Sequence, residues 1–398
     1  MKIGQFMLLP FLAIYLSKYS CASPSVIGVT VGIGPFIYAI TGIVSGVFVD
    51  RFGVKKVMMC ALFLGGVAIF FFFQEHSVSW FFLMNSLTGA TRAFFDIGSK
   101  TYGVSRISVE QRRIFFSLRF MVSNGAAAIG PIIGAYFALT NSFLAFKITG
   151  ILYFALSVLA SFFLRDTNKK EQLSCSKKIV IFRDVINILL QDGALRILLL
   201  ISTIILSVYS QIDSTLAQYL HAELSNGVSV YSLLLIINAI ICVMFQLIVS
   251  KMTKNLDDHM VCIFSMVLFV IAYAIIAFFL SVSALIVSII IMTLAEIIVI
   301  PLNDLLLSRI APANRIGTYY GIAGAAMLGF GIGPTVGGFI YEYLNAKILF
   351  LICSGFCLLV MFLYKKLFDE IAREKYVNEK NKCDDNSKRS DWNHAGVV

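Results

Sequence analysis

Charge is what this sequence has least of. Only 14% of its 398 residues are Asp, Glu, Lys or Arg, against about 25% in an ordinary soluble domain. So few charges cannot cover a soluble surface. With 59% of the residues hydrophobic and a mean hydropathy of +0.88, lipid must be the solvent for much of the chain. Histidine is scarce: His76, His221, His259 and His394 are the four present. They form no metal-ligand spacing and no nucleophile–base set, which argues against an enzyme and against a bound metal. The Gly-rich phosphate loop ending in Lys-Ser/Thr is missing, so ATP is not the expected energy source and no cofactor is implied. Period-2 alternation is missing, which leaves helices as the spanning elements. The eight cysteines carry little: Cys60, Cys242, Cys262, Cys353 and Cys357 lie in apolar runs and read as small core residues, while Cys175 and Cys383 lie in basic segments. The chain opens in a membrane-like segment without a small-residue cleavage site, so no removable signal peptide is expected.

What is present is a series of apolar runs, each of the ~20 residues that cross hydrocarbon. They fall at 3–19, 26–49, 56–74, 78–100, 114–139, 143–164, 196–220, 227–250, 258–281, 283–307, 316–342 and 347–367. The fold class expected is an all-α membrane protein with twelve transmembrane helices. The net charge of +10 sits in alternate connections: Arg51, Lys55 and Lys56; Lys100, Arg106, Arg112 and Arg113; Lys251 and Lys254; Arg309 and Arg315. That placement sets membrane orientation and does not point to nucleic acid. By the positive-inside rule these loops and both termini face the cytoplasm. Residues 1–165 then form one six-helix bundle and 196–367 another. The linker 166–195 is basic and then amphipathic from Ile179 to Leu190, reading as a short helix on the membrane surface. The charged tail 368–398 reads as disordered.

The two bundles look duplicated. Gly130-Pro131-Ile132-Ile133-Gly134 matches Gly333-Pro334-Thr335-Val336-Gly337 at an offset of 203 residues, and Arg112 meets Arg315 at the same offset. Leu12–Leu16 matches Leu216–Leu220 one residue out of step. Each half holds six spans, so the repeats are parallel, an arrangement some secondary transporters use. The first run is short at its N-terminal side compared with the seventh, which suggests a native start upstream of Met1.

Between the second and third runs lies Gly46-Val-Phe-Val-Asp50-Arg51-Phe-Gly53-Val-Lys55-Lys56. This loop resembles the signature loop of the major facilitator superfamily. Gly53 permits a tight turn. The resemblance implies that Asp50 pairs with Arg112 or Arg113 and sits at the start of the eleventh helix near Gly317, a carboxylate at a positive helix end. It would latch the cytoplasmic side. The counterpart in the second half, Thr253 to His259, is degenerate, so a single dominant latch is expected. The Gly130-Pro131-Gly134 and Gly333-Pro334-Gly337-Gly338 segments resemble the motif of the exporter branch, although Ala135 replaces a final glycine. Small residues let helices approach and Pro can bend them, so these are candidate pivots. Phe95-Asp96 and Ala295-Glu296 with Pro301 are most similar to bacterial drug:proton antiporters, the multidrug efflux proteins, but the Arg motif of the fourth helix is not cleanly matched.

Ionisable residues in mid-span are costly and usually functional. Arg92 lies deep in the fourth run with Asp96 one turn on, where Asp96 is expected to hold Arg92 in place. Glu296 lies as deep in the tenth run, one position from the repeat partner of Arg92. The two are expected to face each other or a shared water-filled space. Burial favours the neutral form of a carboxyl, and Glu296 has no cation in its own helix, so it is the expected proton carrier. Arg119 is expected to snorkel to the interface. Asn124 and Asp213 are further cavity candidates, and Asn303 and Asp304 gate candidates. The expectation is proton-coupled export of small amphiphilic or drug-like compounds by a monomer in the inner membrane. Two alternatives stay open: transport of an endogenous metabolite or siderophore, and a non-transporting receptor or scaffold.

Overall fold

A computed structural model describes residues 1–7, 24–72, 74, 77–140, 142–164 and 182–394. The Leu12–Leu16 match and most of the linker lie outside these. In chain order the helices are α1 (residues 2–7), α2 (Pro24–Phe52), α3 (Val54–Phe70), α4 (Val78–Arg106), α5 (Arg112–Thr140), α6 (Ser142–Phe163) and α7 (Phe182–Gln191). There follow α8 (Gly193–Gln211, continued through a π-helical turn at Ile212–Leu216 to Ala217–Glu223), α9 (Gly227–Met252), α10 (Asp258–Phe278) and α11 (Val282–Ile310). The last are α12 (Ile316–Gly324), α13 (Met327–Tyr343) and α14 (Ala346–His394). Among the described residues there is no strand, and nine helices are long and apolar enough to cross a membrane. α3, at 17 residues, and the more polar α4 pack in the same bundle.

Local chemistry sets several of the starts. Ser77 accepts from Trp80 N, Asp192 from Leu195 N and Ser281 from Ala284 N, each taking a donor that the first helical turn leaves free. α7 is amphipathic and packs against α8. Large apolar residues such as Phe162, Phe163 and Ile132 are exposed on the outer faces, as a lipid-facing surface requires.

In the first half α4 lies along α2, and α3 along α6. Gly89 lets α4 approach closely: a Cβ there would strike the Gly34 carbonyl, and Asn85 donates across to Thr30 O (2.7 Å) and Val31 O (3.1 Å). In the second half α10 packs on α11 and α14, and α8 on α13 and α14. Across the halves α2 meets α12, and α5 meets α9 and α11. One expectation needs correcting. The tail does not break after residue 368, because α14 runs on to His394. Beyond Gly355 it contains neither Gly nor Pro and is rich in Glu, Lys and Arg, residues that propagate a helix.

Candidate functional site

The second half holds a buried acid in a polar cage. Glu296, on α11, is 2% exposed. Asn238 of α9 donates to its Oε2 at 3.0 Å and to Thr293 Oγ1 at 2.9 Å, and the Tyr209 hydroxyl of α8 lies beside it. No cation pairs with Glu296 among the described residues. Asp213, exposed on the π-helical turn of α8, is near enough for its charge to act on Glu296, Tyr209 and Tyr231. Gln211 holds that turn. Its Nε2 donates to Gly333 O at 2.7 Å while its Oε1 accepts from Thr215 at 2.8 Å. Single π turns of this kind often serve functional sites.

The first half is organised differently. Asp96 accepts from Tyr38 (2.9 Å) and from Arg119 (3.0 Å), and Lys2 lies at 3.7 Å. Arg119 also donates to Ser99 Oγ at 2.7 Å. So Arg119 does not snorkel outward: it turns across to α4, where a carboxylate and a hydroxyl satisfy its fork. Asp96 therefore does not hold Arg92. The Arg92 guanidinium lies 5.4 Å from the Tyr38 ring centroid, and its Nε is buried without a partner. Arg92 and Glu296 do not face each other as a pair. Arg92 has Tyr38 and Tyr153 as neighbours, whereas Glu296 has Asn238 and Tyr209. Asn124 is half-buried and its amide donates to Phe120 O on its own helix (3.1 Å), so it joins neither centre.

At the end of the bundle that carries the basic loops, the halves are tied together. Asp50 accepts from Gly317 N (2.8 Å), Thr318 N (2.7 Å) and Thr318 Oγ1 (2.7 Å), capping α12. The close approach depends on glycine. A Cβ on Gly46 would collide with Gly317 O, and one on Gly321 would lie 2.8 Å from Gly42 O. Gly53 has φ +89°, a conformation that excludes other residues at little cost only to glycine. Arg51 is exposed over the Phe52 ring (5.1 Å), and Lys55 is half-buried beside the turn.

The arginine pairing implied by the resemblance does not form. Arg112 donates to Ser308 O (2.8 Å) and Val104 O (3.3 Å), while Arg113 reaches Asp258 and Thr253 Oγ1 (3.2 Å). Asp50 already has three donors at α12 and needs no guanidinium. Nor does one latch stand alone. Asp258, 8% exposed, also receives Arg309, and Lys100 pairs with Asp304 at 2.8 Å across the halves. Asn303 accepts from Tyr364 instead (2.6 Å).

The Gly-Pro segments pack within their own halves. A Cβ on Gly130 would meet Phe6 Cβ at 2.7 Å and Met7 N at 3.0 Å, and one on Gly333 would collide with Ser210 and Ser207. Gly337 faces Gln211 and Gly134 is buried, whereas Gly338 meets nothing within 4 Å. α5 and α13 continue through Pro131 and Pro334.

Comparison with known proteins decides the family. The profile of the Major Facilitator Superfamily matches residues 2–327 and 198–395. The chain belongs to the major facilitator superfamily. As a member of this superfamily it is a multi-pass membrane transporter of small-molecule substrates and not an enzyme. It is similar to the uncharacterized MFS-type transporter YqjV of Bacillus subtilis, 27% identical over 389 residues, covering 95% of this chain and 94% of that protein. It is also similar to a Na(+), Li(+), K(+)/H(+) antiporter of Planococcus maritimus, 22% identical, covering 95% of both. Among solved structures it shares its fold with the facilitator FucP in the outward conformation (TM-score 0.75, 12% identity, 92% of this chain and 97% of that one).

Asn238, Tyr209, Tyr38, Lys100 and Asp258 are the site residues that sequence reasoning passed over. The signal for Asn238 was there: it is one of two amides, with Gln246, in the apolar run 227–250, and a buried amide there follows the same rule as a buried charge.

Proposed function

We propose that this facilitator is a proton-coupled antiporter that exports small cationic or amphiphilic compounds, drug-like solutes among them. The observation that carries the reading is Glu296: nearly fully buried, hydrogen-bonded by Asn238, with Tyr209 beside it, and without a counter-ion among the described residues. A neutral carboxylic acid leaves such a cage uncharged, whereas a carboxylate there calls for a cation. Proton and cationic solute then exclude each other from one group. Competition of this kind couples two opposed flows, because the state that accepts one has released the other. Asp213, exposed nearby, is the first carboxylate a solute meets.

The architecture that goes with this reading is twelve spans in two parallel six-helix halves, with the basic end in the cytoplasm of the inner membrane and one chain per transport unit. The matched contacts of Gly130 on α1 and Gly333 on α8 support the two-fold repeat and brace each half as a unit. Asp50, Lys100, Arg112 and Arg113 tie the basic end together, which on this reading makes the conformation an outward-facing one. Opening inward requires those ties to break.

Efflux of ethidium from energised cells tests the reading. The expected result is efflux that stops when the proton gradient is collapsed and is lost in Glu296→Gln at equal expression. Unchanged efflux and pH dependence in Glu296→Gln would remove Glu296 as the carrier. A second reading, exchange of alkali cations for protons, is favoured by the similarity to the Planococcus maritimus antiporter. Cation-driven pH change in inverted vesicles, without ethidium efflux, would select it.

A further inference from the structure

Inside the first half, away from Glu296, lies a small cavity of about 40 Å³. Its wall includes Gln5, Asn85, Thr88, Thr91, Arg92 and Tyr153, with Ile69, Phe72 and Phe146 as the apolar part. Most polar groups of this wall already have partners. Asn85 donates both amide hydrogens to α2 carbonyls, Thr88 donates to Asn85 O, Thr91 to Leu87 O, and Tyr153 to Met1 O. Arg92 is different: it donates no hydrogen bond to a described residue, and its Nε is buried.

The charge around it is unbalanced. Lys2, Arg92 and Arg119 surround one carboxylate, Asp96, whose oxygens are taken by Arg119, Tyr38 and Lys2. The other nearby cation, Lys100, is matched by Asp304. A guanidinium in an apolar span, with a buried Nε that has no partner and a surplus of positive charge beside it, calls for an anion. The Tyr38 face compensates only in part.

We propose that this cavity is a binding site for a small monoanion, a halide or the carboxylate end of a solute, with Arg92 as the group that holds it. The cavity has room for such a group, since about 10–15 Å³ of such space holds one water and 40 Å³ admits about two or three heavy atoms. Its apolar side disfavours strongly hydrated anions such as fluoride or sulfate, whose water shell the wall cannot replace. The proposal does not depend on Glu296 or on proton coupling, and its test involves no transport.

The test is thermal unfolding of the purified full chain in lipid nanodiscs. Chloride is replaced stepwise by sulfate, which the cavity wall disfavours, at constant ionic strength, and a parallel series uses acetate. The expected result is a midpoint that rises saturably with chloride. In Arg92→Met the half-saturation moves about tenfold or more higher, as loss of a charge-assisted contact implies. Lys147→Met, which removes a cation of the same half outside the cavity, keeps the wild-type response. Thr88→Leu fills the space while keeping Arg92, and it too should lose the response, which covers the case in which Arg92→Met does not fold. A saturable response to acetate alone assigns the site to carboxylates. No saturable response to either anion, or one equal in the wild type, Arg92→Met and Thr88→Leu, overturns the proposal.

Discussion

The two halves bury ionisable groups and treat them in opposite ways. In the first half Asp96 is saturated by Arg119, Tyr38 and Lys2, so its charge is neutralised by structure. In the second half Glu296 has only neutral polar neighbours among the described residues, the donor Asn238 and the nearby Tyr209, and a further acid in Asp213. One charged centre thus holds helices together, and the other is left free to change its state. A buried ion pair is a poor site for proton exchange because removing either charge strands the other. A caged acid without a counter-ion has no such penalty.

The contrast can be broken by substitution. Arg119→Met should be the most damaging of three, stranding Asp96 at a cost of about 3–5 kcal/mol, read as a fall in unfolding midpoint or yield. The double variant Arg119→Met/Asp96→Asn should recover much of that loss. If the single variant were silent, the first-half centre would not be structural. Asn238→Leu should cost less, about 1–3 kcal/mol, by leaving Glu296 and Thr293 without their shared donor. Its effect on efflux should exceed its effect on expression, the reverse of Arg119→Met.

Smallest is Asp50→Asn. It keeps an acceptor for α12 but loses the charge, shifting the balance between closed and open basic ends by about 1 kcal/mol. Labelling of a cysteine introduced at Ser308 should quicken by roughly fivefold. An unchanged rate would mean that Lys100–Asp304 and Arg113–Asp258 carry the closure alone.

Most of the apolar helices and their order were legible in the sequence because hydropathy is a local pattern, and the loop's family resemblance pointed to the Asp50–α12 contact. It showed that Arg92, Asp96, Arg119 and Glu296 were unusual but not which of them meet. Spacing of one turn suggested Arg92 with Asp96, yet Arg119 reaches Asp96 from the neighbouring helix. Helix-to-helix partners depend on rotation about each axis, which a single run does not encode. Asp258 was hidden for a related reason. It lies in a loop whose motif is degenerate, and its role comes from Arg113 on another helix and from Arg309. The extended α14 shows the opposite error, in which polar composition suggested disorder although no residue there breaks a helix.

The central claim is that Glu296 exchanges a proton for solute. Its most direct test is proton release from purified protein in weakly buffered solution on adding ethidium, followed with a pH indicator. The account predicts release in the wild type and in Asp96→Asn, and none in Glu296→Gln that still binds ethidium. Equal release from Glu296→Gln and the wild type would contradict it.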